Sequence, residues 1–382
     1  MIVDLHTHFP MHLLPPEQRD THKFVLAPWP GSRWRSIILE ILSRLANYQG
    51  PHGGPGVTVE LMRKGNVGAA RSVLFAPFDE MDLSEPYGAP PQSRYIQSLR
   101  DQMTLVEQDI AADPNADMAT NPAAMDATIG AGRVAMIHCV EGAFALGATE
   151  AEITATVDEF ADRGVAYVTL AHLFYRGIAQ NAPAIPFIPD ALYKIVFPQK
   201  GDAGITPLGE AALRAMVRRR VLVDITHMND KAIAHAFKLL DSTGENPPLI
   251  ASHIACRFNN TEYNLSDDVI REVGRRGGVM GVIDCEHWAN AGLPKAKTLE
   301  DSINVICQHI DRIRRVTGSD DHIAIGSDLD GYIKPALPGL EHSGRLGALE
   351  DALVARYGAA AAQKFCSDNV LRLLRGYWRG GP

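Results

Sequence analysis

Eight short runs rich in Val, Ile, Leu and Ala recur along this 382-residue chain, and each gives way to polar or chemically active residues. They are "MIVDLHTH" from Met1, "RSVLFAPF" from Arg71, "RVAMIHCVEG" from Arg133, "VAYVTLAH" from Val165, "VLVDITH" from Val221, "LIASH" from Leu249, "GVMGVID" from Gly278 and "HIAIGSDLDG" from His322. Unbroken apolar runs of this length, rather than alternating ones, mark parallel strands buried on both faces. Helical patterns lie between them. "ITPLGEAALRAMVRRR" offers Thr206 as an N-cap with Pro207 at the first helical position, and "LSDDVIREVGRRGG" offers Ser266 with two acidic residues behind it. "SINVICQHIDRIRRV" carries apolar residues at helical spacing from Ile303 to Val316. Strands alternating with helices make βαβ units, and eight of them predict an α/β fold of the (β/α)8 barrel type.

Two stretches exceed a minimal barrel. Residues 9–65 form a long connection with Pro- and Gly-rich pieces around a predicted helix over 34–47, and residues 176–204 read as a Pro-rich loop. Both follow strands and are expected over the C-terminal mouth, where long structured loops shape substrate sites. With no repeat and no linker in view, residues 1–382 are read as a single domain.

Bulk properties narrow the function classes. The net charge of −8 argues against nucleic acid as a partner, because that recognition runs on basic patches. The basic run Arg218-Arg219-Arg220 ends a predicted helix, where cations complement the dipole. Five cysteines without a CxxC pair suit reduced, buried thiols. No signal-peptide pattern and no apolar stretch of membrane-spanning length is read, so a cytoplasmic protein without a membrane partner is expected. There is no Walker A, GxGxxG or GxSxG pattern, and "DLDG" at 328–331 lacks the acidic residue of a calcium loop, Leu337 standing in its place.

The ends of the strands carry the chemistry. The first ends in His6 and His8, the third in Glu141, the fourth in His172, the fifth in His227, the sixth in His253 and the eighth in Asp328. Barrel active sites assemble from strand C-termini distant in sequence. On an extended strand His6 and His8 project to one side, as a pair of ligands requires. Any one of these histidines alone reads more readily as a hydrogen-bonded cap; recurrence at one structural place makes the metal site. Of the remaining histidines, His12, His22, His52, His235, His309 and His342 read as surface or loop residues and His138 as packed beside its strand, while His287 is left open. Five or six ligands, one a carboxylate, are too many for one open tetrahedral zinc. They suit two divalent ions, expected to be zinc, bridged by Glu141 with a shared hydroxide between them, an arrangement for amide hydrolysis. Asp328 is then the group that takes the proton and passes it to the leaving nitrogen. Asp330 is read as a turn residue.

These pieces, in this order, resemble the membrane (renal) dipeptidase family of the amidohydrolase superfamily. The resemblance runs through "VEG" at 140–142, "VTLAH" at 168–172, "GITPLGEAALRAM" at 204–216, "LVDITH" at 222–227, "ASH" at 251–253, "NLSDDVIREV" at 264–273, "IAIGSDLDG" at 323–331 and "DNVLRLL" near the end. It implies a (β/α)8 barrel and zinc-dependent hydrolysis of dipeptides, often tolerant of a D-residue at the C-terminal position. It further implies that His6 binds the more buried metal, Glu141 bridges, His227 and His253 hold the second metal, His172 polarises the scissile carbonyl or steadies its oxyanion, and Asp328 is the acid/base. A homodimer is the family's expectation rather than a feature of these residues.

Two departures follow from the same resemblance. The family reads HxD at the first strand, where this chain has His6-Thr7-His8. The exchange of an anionic for a neutral ligand leaves a metal pair more positive. The family also places an arginine, which grips the dipeptide carboxylate, at the position of Tyr263, with Glu262 beside it. Arg257 is the candidate substitute. If it does not serve, an N-acyl amino acid, a lactone or another non-dipeptide substrate is the alternative, and a metal-binding barrel without turnover is the non-enzyme reading.

Overall fold

A computed structural model of the protein describes residues 1–14, 54–80, 82, 85–186, 188–199, 201, 204–331 and 335–381. The helix expected over 34–47, most of the connection 9–65, and His22 and His52 lie outside these.

Among the described residues nine parallel strands form one sheet: β1 (Ile2–Val3), β2 (Val67–Phe75), β3 (Ala116–Met118), β4 (Val134–Glu141), β5 (Tyr167–Thr169), β6 (Leu222–Asp224), β7 (Leu249–Ile254), β8 (Val279–Val282) and β9 (Ile323–Ile325). Eight run in the order β1-β2-β4-β5-β6-β7-β8-β9, and they are the eight read from the apolar runs. The ninth, β3, pairs only with β4 from outside the ring. Three residues, only Ala116 of them buried, are too short and too polar to show as an apolar run.

The ring closes between its first and last strands. Leu5 N donates to Ile325 O at 2.8 Å, Asp328 N to His6 O at 3.0 Å and His8 N to Leu329 O at 2.9 Å. Asp4 Oδ1 accepts from Ser327 N at 3.0 Å and so ties the same two ends. Closure of this kind pairs the two terminal strands of the ring and brings residues about 320 positions apart in the chain into one site. Gly326, just after β9, lies close to β7, since a Cβ there would overlap the Ser252 carbonyl oxygen.

The helices start where their caps predict. Thr206 accepts from Gly209 N at the head of Pro207–Arg219, and Ser266 accepts from Val269 N at the head of Asp267–Arg275. Thr298 and Asp301 form a reciprocal capping box that opens Leu299–Thr317, which ends on Gly318 at φ +71°. The stretch read as a loop over 176–204 contains one short helix, Asp190–Val196, which the surrounding prolines hide from a periodicity reading.

His309 also departs from expectation. It is fully buried in Leu299–Thr317, with Nδ1 accepting from Cys256 N at 3.0 Å and Nε2 donating to Ala289 O at 2.9 Å. Its helical face turns inward, and two backbone groups compensate the loss of water. Asp330 is more than a turn residue. Its carboxylate accepts from Gly56 N and Val57 N at 2.9 Å and anchors the segment that leads into the helix Val59–Lys64.

Candidate metal centre

Every residue expected in the site except Arg257 and Tyr263 presents its functional atom to one small volume at the C-terminal end of the strands. Glu141 is the last residue of β4 and lies at its centre. Gly142 follows at φ +93°, a conformation in which a Cβ would also strike the Phe144 ring, so the chain turns away sharply and leaves the carboxylate in place. One Glu141 oxygen, Oε1, lies 3.5 Å from His6 Nε2, 3.3 Å from His227 Nε2 and 3.4 Å from His253 Nε2. The other, Oε2, lies 3.5 Å from His8 Nε2 and 3.4 Å from His172 Nε2. The nitrogens also crowd one another, with His6 and His8 Nε2 3.3 Å apart and those of His227 and His253 3.0 Å apart. Asp328 Oδ1 is 3.1 Å from His8 Nε2 and 3.8 Å from His6 Nε2.

His6 and His8 share a side although the ladder of β1 stops at Val3. The backbone bends at Leu5 and then rejoins its neighbours, with Thr7 bridged to Leu329 and His8 to Ser72. His253 lies inside β7. His172, His227 and Asp328 sit three residues beyond β5, β6 and β9, and two of them are in unusual backbone: φ is +67° at His227 and +58° at Asp328. Left-handed backbone costs a non-glycine residue about 1 kcal/mol, and such residues cluster at functional sites.

The polar partners beneath the cluster were not read from the sequence. Asp224 at the end of β6 joins three strands: Oδ2 accepts from Thr169 Oγ1 at 2.7 Å and from Ser252 Oγ at 2.6 Å, while Oδ1 accepts from Thr226 N and Ser252 N at 3.0 Å. Ser252 Oγ in turn lies 2.9 Å from His253 Nδ1 and 3.2 Å from His6 Nδ1, which also meets Tyr167 Oη at 2.8 Å. An aspartate interrupting the apolar run "LVD" was the visible signal for Asp224. Glu80 gave none. It ends a one-turn helix after β2 and contacts His172 Nδ1 at 2.7 Å.

The electrostatics divide the imidazoles. Burial, reinforced by the neighbouring histidines, holds His6 and His253 well below the usual imidazole range, and burial with His172 also lowers His227. Neutral rings with Nε2 lone pairs are what metal coordination requires. His172 differs: burial acts to lower it, but Glu141 and Glu80 outweigh that and raise it to about 9. Burial would raise the Glu141 carboxyl, yet His172, His6 and His227 hold it well below the ordinary carboxylate range. Asp328 is raised by burial.

This donor set fits divalent metal. Both Glu141 oxygens are buried without a hydrogen bond among the described residues, as are His8 Nδ1 and His227 Nδ1. A buried carboxylate lacking hydrogen bonds is costly unless a cation compensates it. Three overlapping triplets each bring their donor atoms within 4.8 Å of one another: His6, His8 and Asp328; His6, Glu141 and His253; and Glu141, His172 and His227.

Arg257 and Tyr263 are engaged elsewhere. The Arg257 guanidinium makes a two-point pair with Asp230 at 2.8 Å and donates to Asn264 O at 2.7 Å and Glu262 O at 2.9 Å. Tyr263 is buried. Its hydroxyl donates to His253 O at 3.0 Å, and its ring lies between Trp288, stacked at 4.4 Å, and His227, edge-on at 5.1 Å.

Comparison with known proteins completes the description. The sequence model of the membrane dipeptidase family (peptidase family M19) matches residues 43–377. Dipeptidase 3 of Mus musculus is 24% identical over 326 residues, which are 83% of this chain and 57% of the mouse protein. The chain thus spans less than two thirds of that relative's length. Among solved structures, a dipeptidase described as a metallo peptidase of family M19 superposes with a TM-score of 0.72 at 20% identity, covering 99% of this chain and 98% of the other. A metallo peptidase from Rhodobacter sphaeroides, liganded with a phosphinate mimic of the dipeptide L-Ala-D-Ala, gives 0.70 at 21% identity and 99% coverage of both chains. Such identities establish the shared barrel, and the match of the family model over most of the sequence establishes the kinship: this chain belongs to the membrane dipeptidase family of metallo-hydrolases.

Proposed function

We propose that the protein hydrolyses the amide bond of a dipeptide or a related small amide with two divalent ions, zinc by the character of its N and O donors. The observation that carries this reading is the Glu141 carboxylate, without a hydrogen bond among the described residues and ringed by five imidazole Nε2 atoms. His6 and His8 would hold one ion, His227 and His253 the other, and Glu141 would bridge them. Bound there, such ions polarise an amide carbonyl and lower the pKa of an attacking water. Asp328, beside His8, would take a proton from the attacking water and return it to the leaving nitrogen. His172 would face the carbonyl oxygen of the scissile bond. The dipeptide mimic held by the Rhodobacter sphaeroides relative supports this substrate class.

A second reading draws on Arg257 and Tyr263. The Arg257 guanidinium is committed to Asp230, and the Tyr263 phenol is kept neutral, burial and then Asp328 and Glu141 raising it well above the usual range. Neither offers a free cation for an α-carboxylate, which favours a lactone or another non-dipeptide substrate that lacks this group over a dipeptide or an N-acyl amino acid. Cytoplasmic location and a homodimer remain parts of the proposal. The first is supported by five buried, unpaired cysteines.

The test is metal analysis of protein purified without chelator, with the same sample assayed on L,L- and L,D-dipeptides and on N-acyl amino acids and lactones. Two zinc ions per chain with dipeptide turnover are expected. Turnover confined to the lactones would select the second reading, and a chain that binds no metal would sink both.

A further inference from the structure

The five imidazoles of the cluster differ in what meets the nitrogen turned away from its centre. His6 Nδ1 meets the hydroxyls of Tyr167 and Ser252, and His253 Nδ1 meets Ser252 Oγ. His8 Nδ1 and His227 Nδ1 have no partner among the described residues. Only His172 meets a carboxylate there. Glu80 Oε2 lies 2.7 Å from His172 Nδ1, and Glu80 Oε1 accepts from Phe174 N at 2.8 Å. Glu80 is 2% exposed and His172 5% exposed, so water screens this contact weakly.

The two bonds do different things. A carboxylate only accepts, so Nδ1 carries the hydrogen of this contact, which fixes the ring's orientation and leaves Nε2 as the atom facing Glu141 and the substrate volume. The bond from Phe174 N fixes the turn after β5, which sets the height of the ring above the barrel. Phe75 closes the remaining freedom, packing edge-on to His172 at 4.4 Å, with His227 at 4.6 Å on another side. Glu80 comes from the segment after β2 and His172 from that after β5, so the pair also locks two strand ends together across β4.

We propose that Glu80 is a positioning residue for hydrolysis, acting through its two-point grip on His172 and the Phe174 backbone to aim His172 Nε2 at the substrate. This rests on the hydrolase reading for its kinetic consequence and on geometry alone for the hydrogen on Nδ1. Glu80→Gln keeps the shape but offers one accepting oxygen where two N–H groups need one each. Turnover should therefore fall, by roughly ten- to a hundredfold as for other residues that orient an active-site histidine, while KM moves less than kcat and both metals stay bound.

A double-mutant cycle separates aiming from general support. If Glu80 acts through His172, then Glu80→Gln combined with His172→Gln is no slower than His172→Gln alone. Losses that multiply would overturn the proposal, as would an unchanged kcat in Glu80→Gln. A second measurement needs no variant and no substrate: the ¹⁵N shifts of His172 in the metal-loaded wild-type protein. Protonated Nδ1 is expected, and an unprotonated Nδ1 would overturn the proposal even if the enzyme turned over every dipeptide offered. Protonated Nδ1 in a protein that hydrolyses nothing would sink the hydrolase reading and leave the grip itself standing.

Discussion

The two ends of the barrel are made by the same strands and obey opposite rules. At the N-terminal end Val3, Ala69, Ala135, Ile137, Leu222, Ile250, Val279 and Ala324 pack into an apolar layer, sealed by Val370, Leu373, Leu374 and Trp378 around the C-terminal helix Asn369–Tyr377. Asn369 Nδ2 ties that helix to Ile323 O at 2.9 Å. At the C-terminal end the strands terminate in His, Glu and Asp, with two residues in left-handed backbone and a carboxylate lacking hydrogen bonds among the described residues. One end lowers the energy of the fold, and the other holds arrangements that the fold must impose. Stability and chemistry are thus expected to separate under mutation along the barrel axis.

The sharpest way to break that separation is at Glu141. Glu141→Gln should remove bound metal and lower turnover at least roughly a thousandfold, the several kcal/mol that Lewis-acid stabilisation supplies, without unfolding the chain. Full two-ion occupancy in the variant, read by elemental analysis, would refute bridging. Asp328→Asn should keep both metals and lose roughly 10²- to 10⁴-fold in kcat, and asparagine tolerates the same left-handed backbone. An unaltered rate would take Asp328 out of proton transfer. At the opposite end, Leu374→Ala should cost about 2–5 kcal/mol of stability in denaturant melts. Its kcat per bound metal should match the parent's wherever the variant stays folded.

His309 tests whether acid sensitivity belongs to the site. Burial lowers it from 6.5 to about 4, so the unfolded chain binds a proton in that window and the folded chain does not. Stability therefore falls as pH drops from 6.5 towards 4, by about 3 kcal/mol. His309→Gln should flatten that slope in melts at pH 7 and pH 5, and a slope that persists would move the acid lability to other groups. The smallest effect is expected at Arg71, which lies between Ala69 and Val73 on β2 and is fully buried, with Nε and both Nη atoms lacking a hydrogen bond among the described residues. Exchange of such a charge for an apolar chain of similar volume is often neutral or stabilising, so Arg71→Met should melt at or slightly above the parent. A clear loss would show that the apolar end also depends on charge.

The sequence made the barrel legible because its information is linear: apolar runs and helix caps fall at the spacing of βαβ units. Glu141, His172, His227, His253 and Asp328 were legible for the same reason, each standing at the end of a run. What escaped depends on the third dimension. Glu80 lies 92 positions from His172 and follows no pattern, Ser252 looks like any small residue in a strand, and His309 reads as a helix-surface residue until its inward face is known. Arg257 shows the converse: proximity in sequence suggested a role, while its guanidinium points to Asp230.

The positive φ values at His227 and Asp328 bear on how such a protein can be redesigned. A procedure that scores substitutions by folding free energy alone will mark both positions for replacement by glycine, since glycine relieves the backbone at no steric cost. It would return a hardier barrel with its proposed acid/base and one proposed ligand removed. In this chain the positions where an optimiser sees a defect are those to be held fixed before any search for thermostability begins.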